Sequence, residues 1–215
     1  MKRFSTAQDR ARNDHNVDEK QLKQKAAAII EEVGLTAADL ERRPAEFSGG
    51  QRQRISIARG LLAEPELLIC DEVVSALDVS IQAQILNLLM DIRRSRNLSF
   101  LFIAHDLKVA CWFCDRIGVM YRGEMMEEAP AADLYRTAAH PYTQLLFSSV
   151  LNNEAALASS SPAAGAVLKG EVRTTLQEIT GCAFADRCPK TTERCQQEKP
   201  ELKEIKPGHK LRCHY

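Results

Sequence analysis

The 215-residue chain lacks several features that would assign it to common protein classes. Its 29 Lys and Arg balance its 29 Asp and Glu, so nucleic-acid binding driven by bulk charge is excluded. No stretch approaches the roughly 18 consecutive apolar residues that a membrane-spanning helix needs. The basic N-terminus is followed by no apolar segment, so we expect no signal peptide and a protein that stays in the cytosol.

Cysteine is present in an odd number, seven, which argues against a framework of disulfides. In a cytosolic chain these residues are reduced thiols or metal ligands. Four of them, Cys182, Cys188, Cys195 and Cys213, fall within the last 34 residues. Cys111 and Cys114 lie in an apolar segment, where core packing is the favoured interpretation over redox or metal chemistry.

The composition, 45% hydrophobic and 27% charged, is that of a globular protein with a sizeable core. Alternating helical and strand patterns predict an α/β layer. We divide the chain into an irregular N-terminus, a helical region, an α/β region, a linker rich in Ala, Ser, Asn and Gly, and a Cys-rich tail. In that order, the five regions span residues 1–17, 18–62, 63–150, 151–179 and 180–215.

Two short apolar runs predict neighbouring parallel strands that are buried on both faces. Leu67–Cys70 ends in Asp71 and Glu72, and Ser99–Ile103 is followed closely by His105. Between them, Val79–Arg96 has the periodicity of an amphipathic helix. Further upstream, a short helix is expected to begin at Thr36 and to end before Pro44.

Each group of polar residues at or near these strand ends has a functional and a structural interpretation. A carboxylate at the carboxyl end of a parallel strand lies where α/β sheets bind ligands, and Asp71 with Glu72 could hold Mg²⁺ and polarise a water molecule. His105 could contact a phosphate, although a satisfied structural histidine is the commoner case. The segment from Ser75 to Asp78 is otherwise an ordinary capping loop.

A glycine pair opens another predicted helix in the segment Ser48, Gly49, Gly50 and Gln51. The simple interpretation is a turn followed by an N-cap. The functional one is an anion site, because two glycines let the backbone approach a phosphate and the helix N-terminus presents free N–H groups.

The order of these motifs along the chain resembles the second half of an ABC-transporter nucleotide-binding domain. The matching pieces are the signature loop at Ser48–Gln51, the Walker B strand ending at Asp71 with the following Glu72, the D-loop at Ser75–Asp78, and the switch histidine His105. The resemblance covers roughly Asn16 to Val150. It implies an α/β fold, namely a truncated P-loop ABC-type nucleotide-binding domain with a helical subdomain, half of the parallel sheet and a small Cys-rich extension.

Details of the sequence resemble the ATP-binding subunits of bacterial oligopeptide and dipeptide importers. They are the run from Cys70 to Gln84, the sequence His140–Thr143 and the Cys-rich tail. Importers of metals, opines and glutathione share much of this pattern, so the solute stays open. The resemblance implies a peripheral protein on the cytoplasmic face of the inner membrane. Its implied partners are a second ATPase subunit, two transmembrane permease subunits and, indirectly, an extracytoplasmic substrate-binding protein, with no nucleic acid.

The resemblance implies ATP and Mg²⁺ as cofactors. It also implies a role for each of the motif residues. Asp71 would bind Mg²⁺, Glu72 would orient the attacking water and His105 would contact the γ-phosphate. The signature residues Ser48, Gly49, Gly50 and Gln51 would contact a nucleotide held by the partner subunit, since each ATP lies between the phosphate loop of one subunit and the signature loop of the other. Ser75 and Asp78 would form the D-loop.

The sequence contains no Gly-x-x-x-x-Gly-Lys-Ser/Thr phosphate-binding loop. We therefore expect the C-terminal part of a longer protein, which offers one half of an ATP site at best. The missing phosphate-loop strand is expected to leave unpaired edges and bare apolar surface, and hence aggregation or a partly molten state.

The four tail cysteines are spaced C-x5-C-x6-C-x17-C, which is neither the spacing of common zinc fingers nor that of ferredoxins. Some members of the resembled family carry a [4Fe-4S] cluster in this extension. A cluster, a zinc ion and free buried thiols all remain open. For the whole chain, two alternatives to a transport ATPase subunit are a non-catalytic module that docks on a transporter and a related ATPase of DNA repair.

Overall fold

The computed structural model describes residues 19–75, 77–158 and 180–215. They form two compact units, which divide between His105 and Asp106, and each unit has its own sheet. The irregular N-terminus predicted for residues 1–17 lies outside the described residues.

Side chains cap the start of two of the helices described in the first unit. Helix α1 spans Glu19–Glu32, α2 spans Gly49–Leu61 and α3 spans Val79–Arg96. The Asp78 carboxylate caps α3, and Asn97 ends it in the left-handed conformation. The short helix expected from Thr36 is a 3₁₀ turn, Ala37–Glu41, which the Thr36 and Asp39 side chains close.

Strands β1, Leu67–Asp71, and β2, Ser99–Ile103, pair in parallel, as predicted. One face of this sheet is covered, and Leu68 on that face lies against Gly60 of α2. The expectation of burial on both faces is wrong, because Ile69 and Leu101 on the other face are exposed. In the described part of the first unit no further element covers them.

The second unit is built on an antiparallel sheet. Its elements are helix α4, Leu107–Phe113, strands β3, Arg116–Tyr121, and β4, Glu124–Pro130, and helices α5, Ala131–Thr137, and α6, Pro141–Ala158. Buried side chains of β3, α5 and α6 form its core, and Cys111 and Cys114 pack against this core. The predicted linker, 151–179, begins inside α6, and residues 159–179 lie outside the described residues.

The Cys-rich tail continues this sheet. A 3₁₀ turn, Ala185–Arg187, and helix α7, Glu193–Gln197, precede strands β5, Lys203–Lys206, and β6, His209–Leu211. The strand order is β3-β4-β6-β5. Phe184 of the tail is buried with Tyr121 of β3 and Met126 of β4, so the tail shares the core of the second unit. None of the helices among the described residues combines the length and the apolarity required to cross a bilayer.

Candidate functional site

The carboxyl ends of β1 and β2 bring three predicted site residues to one edge of the sheet. Asp71 is the last residue of β1 and pairs in register with Ile103 of β2. The backbone N–H of Glu72 donates to the Ile103 carbonyl at 3.0 Å. His105 Nδ1 lies 3.7 Å from Glu72 Oε1, and the two side chains are 65% and 57% exposed. A carboxylate and an imidazole therefore face each other in solvent.

The backbone at Glu72 is strained. Its φ is 46°, a left-handed conformation that costs a residue with a side chain about 1–2 kcal/mol. The turn is held by Ser75, whose backbone N–H and hydroxyl both donate to the Glu72 carbonyl, at 3.2 and 3.0 Å. Strain of this kind is concentrated at functional sites, because the surrounding structure must maintain it.

The segment Ser48–Gln51 forms a capping box at the start of α2. The Gln51 backbone N–H donates to Ser48 Oγ at 3.3 Å, and the Ser48 backbone N–H donates to Gln51 Oε1 at 3.0 Å. The N-cap interpretation is thus realised in this structure. The same end of the helix also directs the positive end of its dipole outward, as an anion site requires.

The N-termini of α2 and α3 lie side by side. A Cβ on Gly49 would lie 3.7 Å from Leu77 Cδ2, whereas one on Gly50 would lie only 2.7 Å from Ile81 Cγ2. The Asp78 carboxylate at the second N-terminus accepts the Ser80 hydroxyl at 2.6 Å and the Ile81 backbone N–H at 2.9 Å. These bonds hold the pKa of Asp78 below its usual value.

The predicted site residues therefore form two groups. Glu72, His105 and Ser75 cluster at the end of the sheet, while the signature segment Ser48–Gln51 lies against the loop that leads into α3. Between residues that the structure describes, no hydrogen bond or ion pair joins the two groups.

The four tail cysteines lie close enough to influence one another electrostatically. Burial, followed by the neighbouring thiols, raises the pKa of Cys182 and Cys188. The backbone of Phe184 near Cys182, and that of Lys190 near Cys188, lower these pKa values in part. Within the described ranges, no three Cys, His, Asp or Glu side chains are grouped so that they could hold a single metal ion.

Sequence reasoning missed a buried polar cluster around Glu127 of β4. The Glu127 carboxylate is fully buried and accepts the backbone N–H groups of Ala139 and His140, at 2.7 and 3.0 Å. It also lies 2.7 Å from Nε2 of the buried His209 in β6. The only sequence signal was a glutamate inside a strand pattern, and its main partner is 82 residues away.

Comparison with known proteins identifies the family. A model of the ABC transporter family matches residues 3–75, and a model of the oligopeptide/dipeptide transporter C-terminal region matches residues 126–195. The oligopeptide transport ATP-binding protein AppF of Bacillus subtilis is 46% identical over 203 residues, which are 94% of this chain. These matches support an oligopeptide-type ABC ATPase as the family of this chain.

The family members that it matches are longer. The chain covers 61% of AppF, and it covers 56% of YkfD from the same species, to which it is 46% identical over 186 residues. It also shares the fold of a solved ATP-binding cassette of an ABC transporter in its ADP conformation, with a TM-score of 0.53 and 23% identity. That match covers 61% of this chain and 51% of the cassette.

Proposed function

We propose that this chain is an ATPase subunit of an ABC importer for peptides, in which it supplies one half of an ATP site to a partner subunit. The observation that carries the proposal is the contact between Glu72 and His105 at the carboxyl ends of two parallel strands, beside Asp71. The chemistry is hydrolysis of the γ-phosphate by water. The subunit would act on the cytoplasmic face of the inner membrane with two permease subunits, which receive peptide from a binding protein outside.

The roles follow from the chemistry and position of each group. Glu72 would orient the attacking water, because its exposed carboxylate accepts hydrogen bonds and His105 is near enough to steer it. His105 would donate a hydrogen bond to the γ-phosphate. Asp71, a hard oxygen donor, fits Mg²⁺, which when bound neutralises phosphate charge.

The signature segment would serve a nucleotide held by a second ATPase subunit. Ser48, Gly49, Gly50 and Gln51 surround the N-terminus of α2, where free N–H groups and the helix dipole favour a phosphate. Ser75 and Asp78 would position the loop between the two half-sites. Because the chain contains no phosphate-binding loop, we expect it to bind Mg-ATP weakly when it is alone.

Rescue of a damaged partner tests this function. The partner is a full-length relative with an intact phosphate loop and an arginine in place of its own signature serine. Mixing it with this chain should restore ATP hydrolysis, and Gly49→Asp in this chain should lower the restored rate about 10²-fold. The variant should fold, because a Cβ at position 49 would lie at an ordinary van der Waals distance, 3.7 Å, from Leu77 Cδ2. A negative charge is also favourable at a helix N-terminus.

The matched control is Asn87→Asp, which adds the same charge at an exposed position of α3 and should leave the restored rate unchanged. If the chain binds the damaged partner without restoring hydrolysis, it acts as a non-catalytic docking module and the proposed half-site is wrong. Equal rates with Gly49→Asp would exclude the signature segment from the site.

We also propose that Cys182, Cys188, Cys195 and Cys213 hold a [4Fe-4S] cluster. Four thiols in one small tail, one buried and three half-buried, support it, because soft thiolate ligands suit an iron–sulfur cluster. Anaerobic protein should contain iron and sulfide, and Cys188→Ser should lose them while Cys111→Ser should not.

A further inference from the structure

The end of α1 and the first turns of α2 and α3 meet at one side chain, that of Arg54. Its Nη1 donates to the Val33 carbonyl at 2.7 Å, just beyond the last residue of α1. Its Nη2 lies 3.5 Å from Oε1 of Gln84 in α3. Arg54 itself belongs to α2, the helix that begins at the signature segment. One guanidinium group therefore links the signature helix to both of its neighbours.

The contact with Val33 completes the end of α1. This helix ends in a Schellman motif, in which the backbone N–H groups of Gly34 and Leu35 donate to carbonyls of the last turn, at 2.9 and 3.1 Å. Among the described residues, no backbone N–H donates to the Val33 carbonyl, and Val33 is fully buried. Because a buried carbonyl without a donor is unfavourable, the charged donor of Arg54 is held at this place.

The packing around Arg54 is close on both sides. A Cβ on Gly34 would lie 2.8 Å from Arg54 Nη1, and the φ of Gly34 is 76°, a conformation that glycine adopts at no steric cost. One turn earlier in α2, a Cβ on Gly50 would lie 2.7 Å from Ile81 Cγ2 of α3. The signature helix is thus fixed to α3 by apolar contact at Gly50 and, one turn further along, by Arg54.

We propose that Arg54 is a positioning residue, which holds the signature segment Ser48–Gln51 against the start of α3 so that its free N–H groups meet the phosphate held by the partner subunit. The inference rests on the proposed function, because it concerns the geometry of the same half-site. The two contacts of the guanidinium are with groups of its own chain, so Arg54 acts through the signature segment.

The rescue assay measures this positioning. Arg54→Met keeps an apolar stem but removes the donors, and it should lower the kcat of the restored hydrolysis about tenfold or more, because small misplacements of positioned groups slow catalysis strongly. The KM for Mg-ATP should stay unchanged, since the phosphate loop of the partner binds the nucleotide. Arg54→Lys should recover part of the rate, because an ammonium group can donate to the Val33 carbonyl but lacks the fork that also reaches Gln84.

Two further variants serve as a control and a cross-check. Arg94→Met removes the same charge from an exposed position of α3 and should leave kcat and KM unchanged. Gln84→Ala, also at an exposed position, should fold and should lower kcat about threefold, as expected for one hydrogen bond. In a chain that already carries Arg54→Met, the loss of Gln84 should have little further effect.

Hydrogen exchange in the chain alone gives a readout that is independent of hydrolysis. The amides of Gln51 and Arg52 donate to the Ser48 hydroxyl and carbonyl, at 3.3 and 2.9 Å. Their exchange should be faster in Arg54→Met, whereas the amides of α3 should exchange as in the wild type, which separates local loosening from a general loss of stability.

Equal kcat values for the wild type and Arg54→Met would overturn the positioning role, and so would unchanged exchange at residues 51 and 52. A higher KM with an unchanged kcat would also overturn it, because Arg54 would then act on nucleotide binding. If circular dichroism shows that Arg54→Met does not fold, Gln84→Ala decides, and a wild-type rate in that variant refutes the inference. If the wild-type chain restores no hydrolysis, the proposed function fails while the exchange data still decide the role of Arg54, so the two failures are distinguishable.

Discussion

His140 should make the second unit sensitive to mild acid. The residue is 1% exposed, and its Nδ1 accepts the Tyr142 backbone N–H at 3.0 Å. Burial lowers its pKa from 6.5 to about 4, although the nearby Glu127 carboxylate and a hydrogen bond with the Arg212 backbone oppose the shift. The imidazole therefore stays neutral in the folded protein at pH values where the unfolded chain binds a proton.

The size of the effect follows from the difference between the two pKa values. Between pH 6.5 and pH 4 the unfolded state binds more protons, so the free energy of unfolding falls as the pH falls. With a folded pKa of about 4, His140 should cost about 2 kcal/mol between pH 7 and pH 5, and about 3 kcal/mol by pH 4. Above pH 6.5 it contributes almost nothing.

Urea unfolding at pH 7, 6 and 5 measures this loss. Trp112, the single tryptophan, lies in α4 of the second unit, so its fluorescence follows the unit that contains His140. In His140→Asn, the amide oxygen can accept the Tyr142 N–H without titrating. The variant should be less stable than the wild type at pH 7, because asparagine fills less volume than histidine. Between pH 7 and pH 5, however, its free energy of unfolding should fall by about 2 kcal/mol less than that of the wild type.

The wild type, unfolded beside His140→Asn in the same buffers, is the reference for the comparison. Glu127 and His209 face the same cluster, and Glu127 is coupled to His140, so the comparison reports the effect of His140 together with this coupling. Equal losses of stability for the wild type and His140→Asn would refute the reasoning.

Three further predictions concern stability. Glu72→Gly should raise the free energy of unfolding by up to about 1 kcal/mol through relief of its left-handed backbone, and a thermal melt checks this. Glu127→Ala should lower the free energy of unfolding of the second unit by about 3–5 kcal/mol in urea unfolding, because His209 and two backbone N–H groups lose their hydrogen-bond acceptor. Glu201→Ala removes an exposed ion pair with Lys203 and should change the free energy of unfolding little. Asn97→Val should lower the melting temperature more than Asn97→Gly, since φ is 50° there.

Local sequence signals predicted the bounds of the elements best where capping residues mark them. Helix α3 and strand β2 begin and end at the predicted residues, because Asp78 caps the helix and a turn at Asn97 separates it from the apolar run of the strand. The contact of Glu72 with His105 was also foreseeable, since parallel strands place their carboxyl ends at one edge. Periodicity could not reveal that one face of these strands is bare, because burial depends on what else is present.

The second unit was harder to predict because its decisive contacts join distant residues. Strand β5 reads Lys203, Glu204, Ile205, Lys206 and has no buried side chain, so its place in the sheet comes from backbone pairing with β6. The burial of Glu127 depends on His209, which a local pattern cannot anticipate. The tail therefore reads as a separate extension in sequence, whereas in the structure Phe184 helps to form the core.

The exposed face of the β1–β2 sheet, which Leu67, Ile69, Leu101 and Ile103 form, ends beside Asp71 and Glu72. A segment that covers Leu67 and Ile69 would also exclude water from the neighbourhood of Asp71 and Glu72. In the free chain the Glu72 and His105 side chains are more than half exposed, so water screens their interaction and competes for every hydrogen bond that they could offer a phosphate. Covering the face would lower the local dielectric and strengthen those interactions.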